Sequence, residues 1–179
     1  MLGARQHLEL LKADVLTHER TRQLAAQYNS KEPPKRVAVL GASLLELFRG
    51  DGAVNGVYFL EHYLLGQFEK HSSNFGFVGR QLEAEPAPES GDTAHTRVGV
   101  LQRASLLRNP RQTPHSFSYF SWHASGGREV VADVQGVGDI YTDPQIHSLD
   151  AGAGGAGNLG LRGIVAFLST HLSAPSRGD

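Results

Sequence analysis

The stretch that most restricts what this chain can become runs from Glu129 to His147 and reads Glu-Val-Val-Ala-Asp-Val-Gln-Gly-Val-Gly-Asp-Ile-Tyr-Thr-Asp-Pro-Gln-Ile-His. An apolar run, Val130-Val131-Ala132, leads into Asp133-Val134-Gln135. In a strand, side chains alternate faces, so Asp133 and Gln135 are expected to point the same way. A carboxylate and an amide oxygen at the end of a buried strand are hard oxygen ligands, suited to Mg²⁺ and poorly suited to zinc or copper. Gly136-Val137-Gly138-Asp139 then turns the chain, and Thr142-Asp143-Pro144 offers a further carboxylate on a loop stiffened by proline. Carboxylates able to hold a metal, with a separate Asp able to orient a hydroxyl, are the parts that phosphoryl transfer needs. The plainer alternative is that Asp, Gly and Pro after a strand mark only a turn.

Composition bounds the rest. With 179 residues, 40% hydrophobic and 20% charged, one domain can bury about 70% of the surface its unfolded chain exposes. A formal net charge of −1 gives no footprint for nucleic acid. No apolar run approaches the length of a membrane span, and Met1-Leu-Gly-Ala-Arg-Gln-His7 lacks the apolar centre of a signal peptide. The expectation is a soluble, cytoplasmic protein with no nucleic-acid or membrane partner. Cysteine is absent, which excludes disulfides and thiolate metal sites.

Along the chain, residues 4–28 carry Leu8, Leu11, Val15, Leu24 and Tyr28 near helical spacing, as one helix or as two with a restart at Asp14 or Thr17. Short strands are expected at 36–40, 44–48 and 57–61, with Gly50-Asp51-Gly52 turning between the last two. Residues 83–92 cannot bury apolar surface and fall in an expected mobile loop over about 79–112. Thr113-Pro114 gives an N-cap and a first-turn proline for a helix burying Phe117, Phe120 and Tyr119. Asn158 is expected to cap a last helix from Leu159 to about Leu172, with Leu161, Ile164, Val165 and Leu168 inward. Residues 152–160 contain Gly-x-Gly-x-x-Gly twice, but with no strand before them and no acidic residue at the required distance a dinucleotide fold is rejected. A flexible linker is the plain reading of that stretch.

The whole string from Asp133 to His147 closely resembles the metal-binding and catalytic segment of the alpha-kinases, a family of atypical protein kinases. Gly157-Asn158-Leu159-Gly160 matches the end of that family's glycine-rich loop, although Ala156 stands where an acidic residue is usual. Glu61, closing an apolar strand before His62-Tyr63-Leu64-Leu65-Gly66, matches the segment that links the family's two lobes. Lys70-His71-Ser72-Ser73-Asn74-Phe75-Gly76 resembles its Lys-Tyr-Asn-rich run. The resemblance covers about residues 12–78 and 110–172.

It implies an α+β fold of atypical protein-kinase type in two lobes, a single domain over 1–179 with a partial N-terminal lobe over about 1–60 and a C-terminal lobe over about 61–172. It implies ATP and Mg²⁺ as cofactors, a protein substrate carrying Ser or Thr, and an ATP-dependent serine/threonine kinase. Asp133 and Gln135 would hold Mg²⁺, Asp143 would act on the substrate hydroxyl, and Glu61 would hydrogen-bond adenine. Gly155, Gly157, Asn158 and Gly160 fall among the nucleotide-site positions, on a loop facing the peptide. Of the family's zinc ligands only His171 is matched. Tyr119, Ser173 and Arg177 occupy the other positions, so no zinc is expected, and Tyr119 with neighbouring apolar packing should hold the last helix instead. His123 and His147 are read as packed or solvated.

The resemblance also implies a phosphate-binding lysine on a strand upstream of the first helix. The four lysines, Lys12, Lys31, Lys35 and Lys70, do not supply it: Lys12 falls in a helical pattern, Lys31 and Lys35 flank Pro33-Pro34, and Lys70 reads as loop. The alternative is therefore an inactive or weak kinase-derived fragment serving as a protein- or nucleotide-binding module.

Overall fold

A computed structural model of the chain describes residues 4–75, 111–150, 152–153 and 155–172. In chain order they form α1 (Ala4–Asn29), β1 (Ala38–Val39), β2 (Ala42–Phe48), β3 (Val54–Glu61), β4 (Phe68–Lys70), α2 (Gln112–Ala124), β5 (Glu129–Ala132), β6 (Gln135–Val137), β7 (Ile140–Thr142), β8 (Gln145–Ser148), a 3₁₀ turn at Gly155–Gly157 and α3 (Leu161–Leu172). Most of the strand pairs are antiparallel, with helices packed alongside, which is the expected α+β class.

The N-terminal pattern resolves as one helix. Its buried positions are Thr17, His18, Thr21, Leu24, Ala25 and Tyr28, a helical stripe whose first half is polar. Thr17 and Thr21 satisfy their hydroxyls on the carbonyls four residues back, at 2.9 and 2.7 Å, so the stripe can be buried without orphaned donors. Asn29 ends the helix and closes the following loop: its amide donates to the Val37 carbonyl at 2.8 Å and its oxygen accepts from the Val37 N–H at 3.0 Å.

Three sheets follow. β2 and β3 form an antiparallel hairpin with Arg49–Ala53 as its turn. β5 and β8 pair antiparallel. The third sheet runs β1-β7-β6-β4, with β1 parallel to β7 and the other pairs antiparallel. β6 and β7 cannot approach as they do with a side chain at position 136. Gly136 has φ 155°, and a Cβ there would overlap the Ile140 carbonyl. The core lies where the sheets meet α1 and α2: Leu24, Tyr28, Val37, Phe117, Val131, Val134, Tyr141 and Ile146 pack together. A second cluster joins Val130 to Ile164 and Phe167 of α3.

Several expectations shift. Only Ala38–Val39 of the strand expected at 36–40 pairs. Lys70, expected in a loop, ends β4. α2 starts at Gln112 with Arg111 at its N-cap and no side-chain cap bond, so Thr113 lies inside the helix rather than capping it. Phe117 is buried and Phe120 partly so, whereas Tyr119 is exposed. α3 begins at Leu161, two residues later than expected, and Leu161 and Val165 face solvent while Phe167 takes the inner face. Gly163 explains the rotation: a Cβ there would overlap the His147 ring, so the helix lays its bare backbone on that histidine and buries 163, 164 and 167. The last helix is also held by ring contacts, His171 stacking on Tyr119 at 4.7 Å and on Phe167 at 5.4 Å between centroids. Residues 79–110 of the expected mobile loop lie outside the described residues.

Candidate active site

Asp133 does not continue the strand. It sits between β5 and β6 with φ 53°, a left-handed conformation that Asp tolerates better than most side chains. The strand-alternation argument for Asp133 and Gln135 therefore fails at its first step. Each is instead related to Asp143, itself at φ 47° after β7. The Gln135 amide nitrogen donates to Asp143 Oδ2 at 3.3 Å and to the Asp143 carbonyl at 3.4 Å. Asp133 lies close enough for its charge to raise the pKa of Asp143, after burial, which is the larger cause. Glu61 and Asp14 push the same way and His18 opposes them. A group poised to hold a proton more readily than an ordinary carboxylate thus lies at the end of β7.

The bend at 133 is fixed by the segment after β4. Val134 donates to Ser72 Oγ at 2.9 Å and its carbonyl accepts from the His71 N–H at 2.9 Å. Asn74 donates to the Gly157 carbonyl at 2.9 Å, and its own carbonyl accepts from His147 Nε2 at 2.8 Å. His147 Nδ1 in turn accepts from the Leu159 N–H at 3.2 Å, so this fully buried imidazole is neutral with its hydrogen on Nε2. Burial depresses its pKa accordingly. Residues 70–74 therefore strap together the bend at Asp133 and the glycine-rich turn.

Within that turn Asn158 is an organiser. Its oxygen accepts from the Ser148 and Gly160 N–H groups at 2.9 and 2.7 Å, and its nitrogen donates to the Ala153 carbonyl at 2.8 Å. It fixes the loop to β8 instead of capping α3 directly. Gly155 packs against α1, where Asp14 Oδ1 and Ala13 line the position a Cβ would take, at 3.4 and 3.5 Å. The carbonyl of Gly157 is the one Asn74 holds, and Gly160 has φ 59°.

Glu61 lies at the end of β3 and joins the hairpin to the rest. Its Oε1 accepts from Thr142 Oγ1 at 2.7 Å and lies 3.3 Å from His18 Nδ1. That nitrogen is also 3.2 Å from the Leu40 carbonyl. Both neighbours are acceptors, so Nδ1 carries the hydrogen. Lys70 Nζ stands 2.7 Å from Asp133 Oδ1.

Glu61, Asp133, Gln135, Asp143 and the glycine turn are the positions expected from sequence, and Asp14, His18, Lys70 and Thr142 are neighbours that the sequence reading did not name as site residues. Asp14 and His18 are four apart on α1, so they share a face, which was the available signal. Nothing in the three-residue β4 announces that Lys70 faces Asp133.

Among the described residues no three His, Cys, Asp or Glu groups converge as a metal site. Asp133 and Gln135 carry oxygens of the kind Mg²⁺ uses when water and phosphate oxygens complete its shell. Asp133 Oδ1 is buried and accepts no hydrogen bond of good angular geometry. The Gln135 amide turns its nitrogen to Asp143, leaving its oxygen for another partner. These residues fit such a cation.

Acidic and amide oxygens beside a glycine-rich turn, in a mixed fold of helices and strands, are the geometry to be compared with known proteins. The alpha-kinase family profile matches residues 3–175, and the chain belongs to the alpha-kinase family. It is 35% identical over 162 residues to alpha-protein kinase 1 of Dictyostelium discoideum, covering 90% of this chain and 10% of that protein. It is 34% identical over 173 residues to human eukaryotic elongation factor 2 kinase, covering 94% of this chain and 20% of that protein. Among solved structures it is similar to the alpha-kinase domain of myosin-II heavy chain kinase A in complex with AMP-PNP, with TM-score 0.69, 33% identity, and 91% of this chain matched to 52% of that one. The inactive domain of the same kinase complexed with ATP matches with TM-score 0.68 and 32% identity, over 91% of this chain and 54% of the other. The chain thus spans a tenth to a fifth of these curated relatives and about half of the solved domains. No helix among the described residues is long and apolar enough to cross a membrane.

Proposed function

We propose that this chain carries the phosphoryl-transfer half of an ATP-dependent protein kinase acting on a Ser or Thr hydroxyl. The observation that carries the reading is the convergence of Asp133 and Gln135 on Asp143. Asp143 Oδ2, held by the Gln135 amide and raised in pKa by burial, is suited to orient a hydroxyl and take its proton. Asp133 and Gln135 would hold Mg²⁺, which would supply positive charge to neutralise that of the phosphates. Glu61, oriented by Thr142 and His18, would read adenine at the junction of hairpin and C-terminal strands. The turn from Gly155 to Gly160, anchored through Asn158 and Asn74, would present backbone to the nucleotide and the peptide.

Two complexes of a similar kinase domain, with ATP and with AMP-PNP, support nucleotide as the ligand. The protein substrate rests on the family. The test is transfer of labelled γ-phosphate from Mg-ATP to Ser and Thr peptides. The wild-type chain should transfer, and Asp143→Ala should lose at least about 100-fold with its fold intact, the size expected for an acid–base group. Equal activity in Asp143→Ala would remove it from the reaction.

A second reading is favoured by the scarcity of cations at the site. Among the described residues Lys70 is the one Lys or Arg that pairs with Asp133 or Asp143. A site with so little positive charge could bind nucleotide without turning it over, as a binding module. Stabilisation by Mg-ATP without transfer would support that reading.

A further inference from the structure

Lys70 ends β4, and the β4–β6 ladder places it directly across from Gln135. Its ammonium, 2.7 Å from Asp133 Oδ1, meets an oxygen that accepts no well-directed hydrogen bond, so charge and not angular N–H···O geometry holds the pair. The two partners differ in freedom. The Asp133 side chain is 14% exposed and springs from a left-handed bend, whereas that of Lys70 is 49% exposed on a four-carbon stem that can swing into water. Among the described residues, Arg111 pairs with Asp139 and Glu69, and Arg20 with Glu129. Asp133, the partner of this ammonium, belongs to a set of carboxylates: with Glu61 and Asp14 it disfavours the charged form of Asp143.

Building on the metal-site reading above, we infer that Lys70 is the resident counter-ion of Asp133, which a divalent cation must displace to reach that carboxylate. Without nucleotide the ammonium screens the acidic set and keeps the Asp133 side chain aimed into the site. A half-exposed ion pair is easily broken, and a divalent cation brings twice the charge together with a demand for oxygen ligands that the lysine does not meet. Displacement leaves the ammonium free beside the place where phosphate charge arrives. Lys70 is then a positioning residue, acting through Asp133.

Mn²⁺ alone, titrated without nucleotide into the 179-residue chain and followed by electron paramagnetic resonance, reads this out. Lys70→Met should bind Mn²⁺ roughly three- to tenfold more tightly than wild type, the scale of one partly exposed ion pair. Lys70→Arg, which keeps the charge, should stay within about twofold of wild type, again on the ion-pair scale. Adding Asp133→Asn to Lys70→Met should abolish the gain. Equal or weaker binding by Lys70→Met, with an unchanged melting temperature, would overturn the inference, as would a gain that survives Asp133→Asn. Lys70→Gln puts the same question should the methionine variant fail to fold. If Mg-ATP stabilises the wild type while Lys70→Met shows no tighter Mn²⁺, this inference alone fails. If neither Mg-ATP nor Mn²⁺ binds any of these proteins, the reading of the site fails with it.

Discussion

The β2–β3 hairpin and the β5–β8 region are built from similarly apolar sequence and use it differently. In the hairpin, Leu45, Leu47, Tyr58 and Leu60 share one face by register, and all are exposed. On the opposite face Phe59 meets His18 of α1 at 5.3 Å between ring centroids. In the second region Val130, Val131, Val134 and Ile146 are almost wholly enclosed by α1, α2 and α3. A two-stranded ribbon is marginal alone, so the hairpin depends on α1 and on the Glu61–Thr142 bond, while the C-terminal strands supply their own core. The candidate site straddles the two: Asp133, Gln135 and Asp143 come from the enclosed region, Asp14 from α1, and Glu61 from the ribbon.

The largest effect should come from the rigid side. Phe117→Ala empties the centre of the main cluster and should cost about 3–5 kcal/mol, seen as a large fall in denaturant midpoint. If the loss were no greater than for a hairpin residue, the contrast would be wrong.

Acid should also act on that side. Burial first, then the charges of His71 and His171, lowers His115 to about 4, and burial lowers His147, His71 and His171. The unfolded chain takes up these protons near pH 6.5 while the folded chain resists them. Stability is therefore full above about pH 6.5 and is lost as pH falls toward the folded values, for His115 down to about 4. Asp143 and Asp14, raised chiefly by burial, oppose this, because the folded chain takes up their protons more readily than the unfolded one. The hairpin, residues 42–61, contains no histidine. Melting temperatures at pH 7.5 and 5 should differ, and His115→Gln should shrink the difference.

Thr142→Val removes the hydroxyl that ties Glu61 to β7 and should cost about 1 kcal/mol, with hydrogen exchange rising in β2 and β3 before β5 and β8. Uniform exchange across both regions would show that the bond does not couple them. Leu45→Thr on the open face should change stability by no more than about 0.5 kcal/mol. A larger loss would mean that this face is covered in solution.

Much of this arrangement was readable from residues. Hydrophobic period gave α1, β2 and β3, the Gly50–Gly52 turn set the hairpin, and the acid-rich string located Asp133, Gln135 and Asp143. What was not readable depended on tertiary detail. Alternation assumed a continuous strand through Asp133, and no local signal marks a left-handed aspartate held by Ser72 and His71 from a distant segment. The inner face of α3 was turned because Gly163 packs on His147, an accommodation between parts of the chain that periodicity cannot see. β4 is three residues long, too short for a period, so Lys70 looked like loop.

The central claim, that Asp133 belongs to a site for Mg-nucleotide, is tested most directly by thermal melting of wild type and Asp133→Ala with and without Mg-ATP. At 100 times the dissociation constant the wild type should gain about 2.7 kcal/mol, and Asp133→Ala, each protein being compared with its own melting temperature without ligand, should gain almost none. The same gain in both proteins would contradict the account.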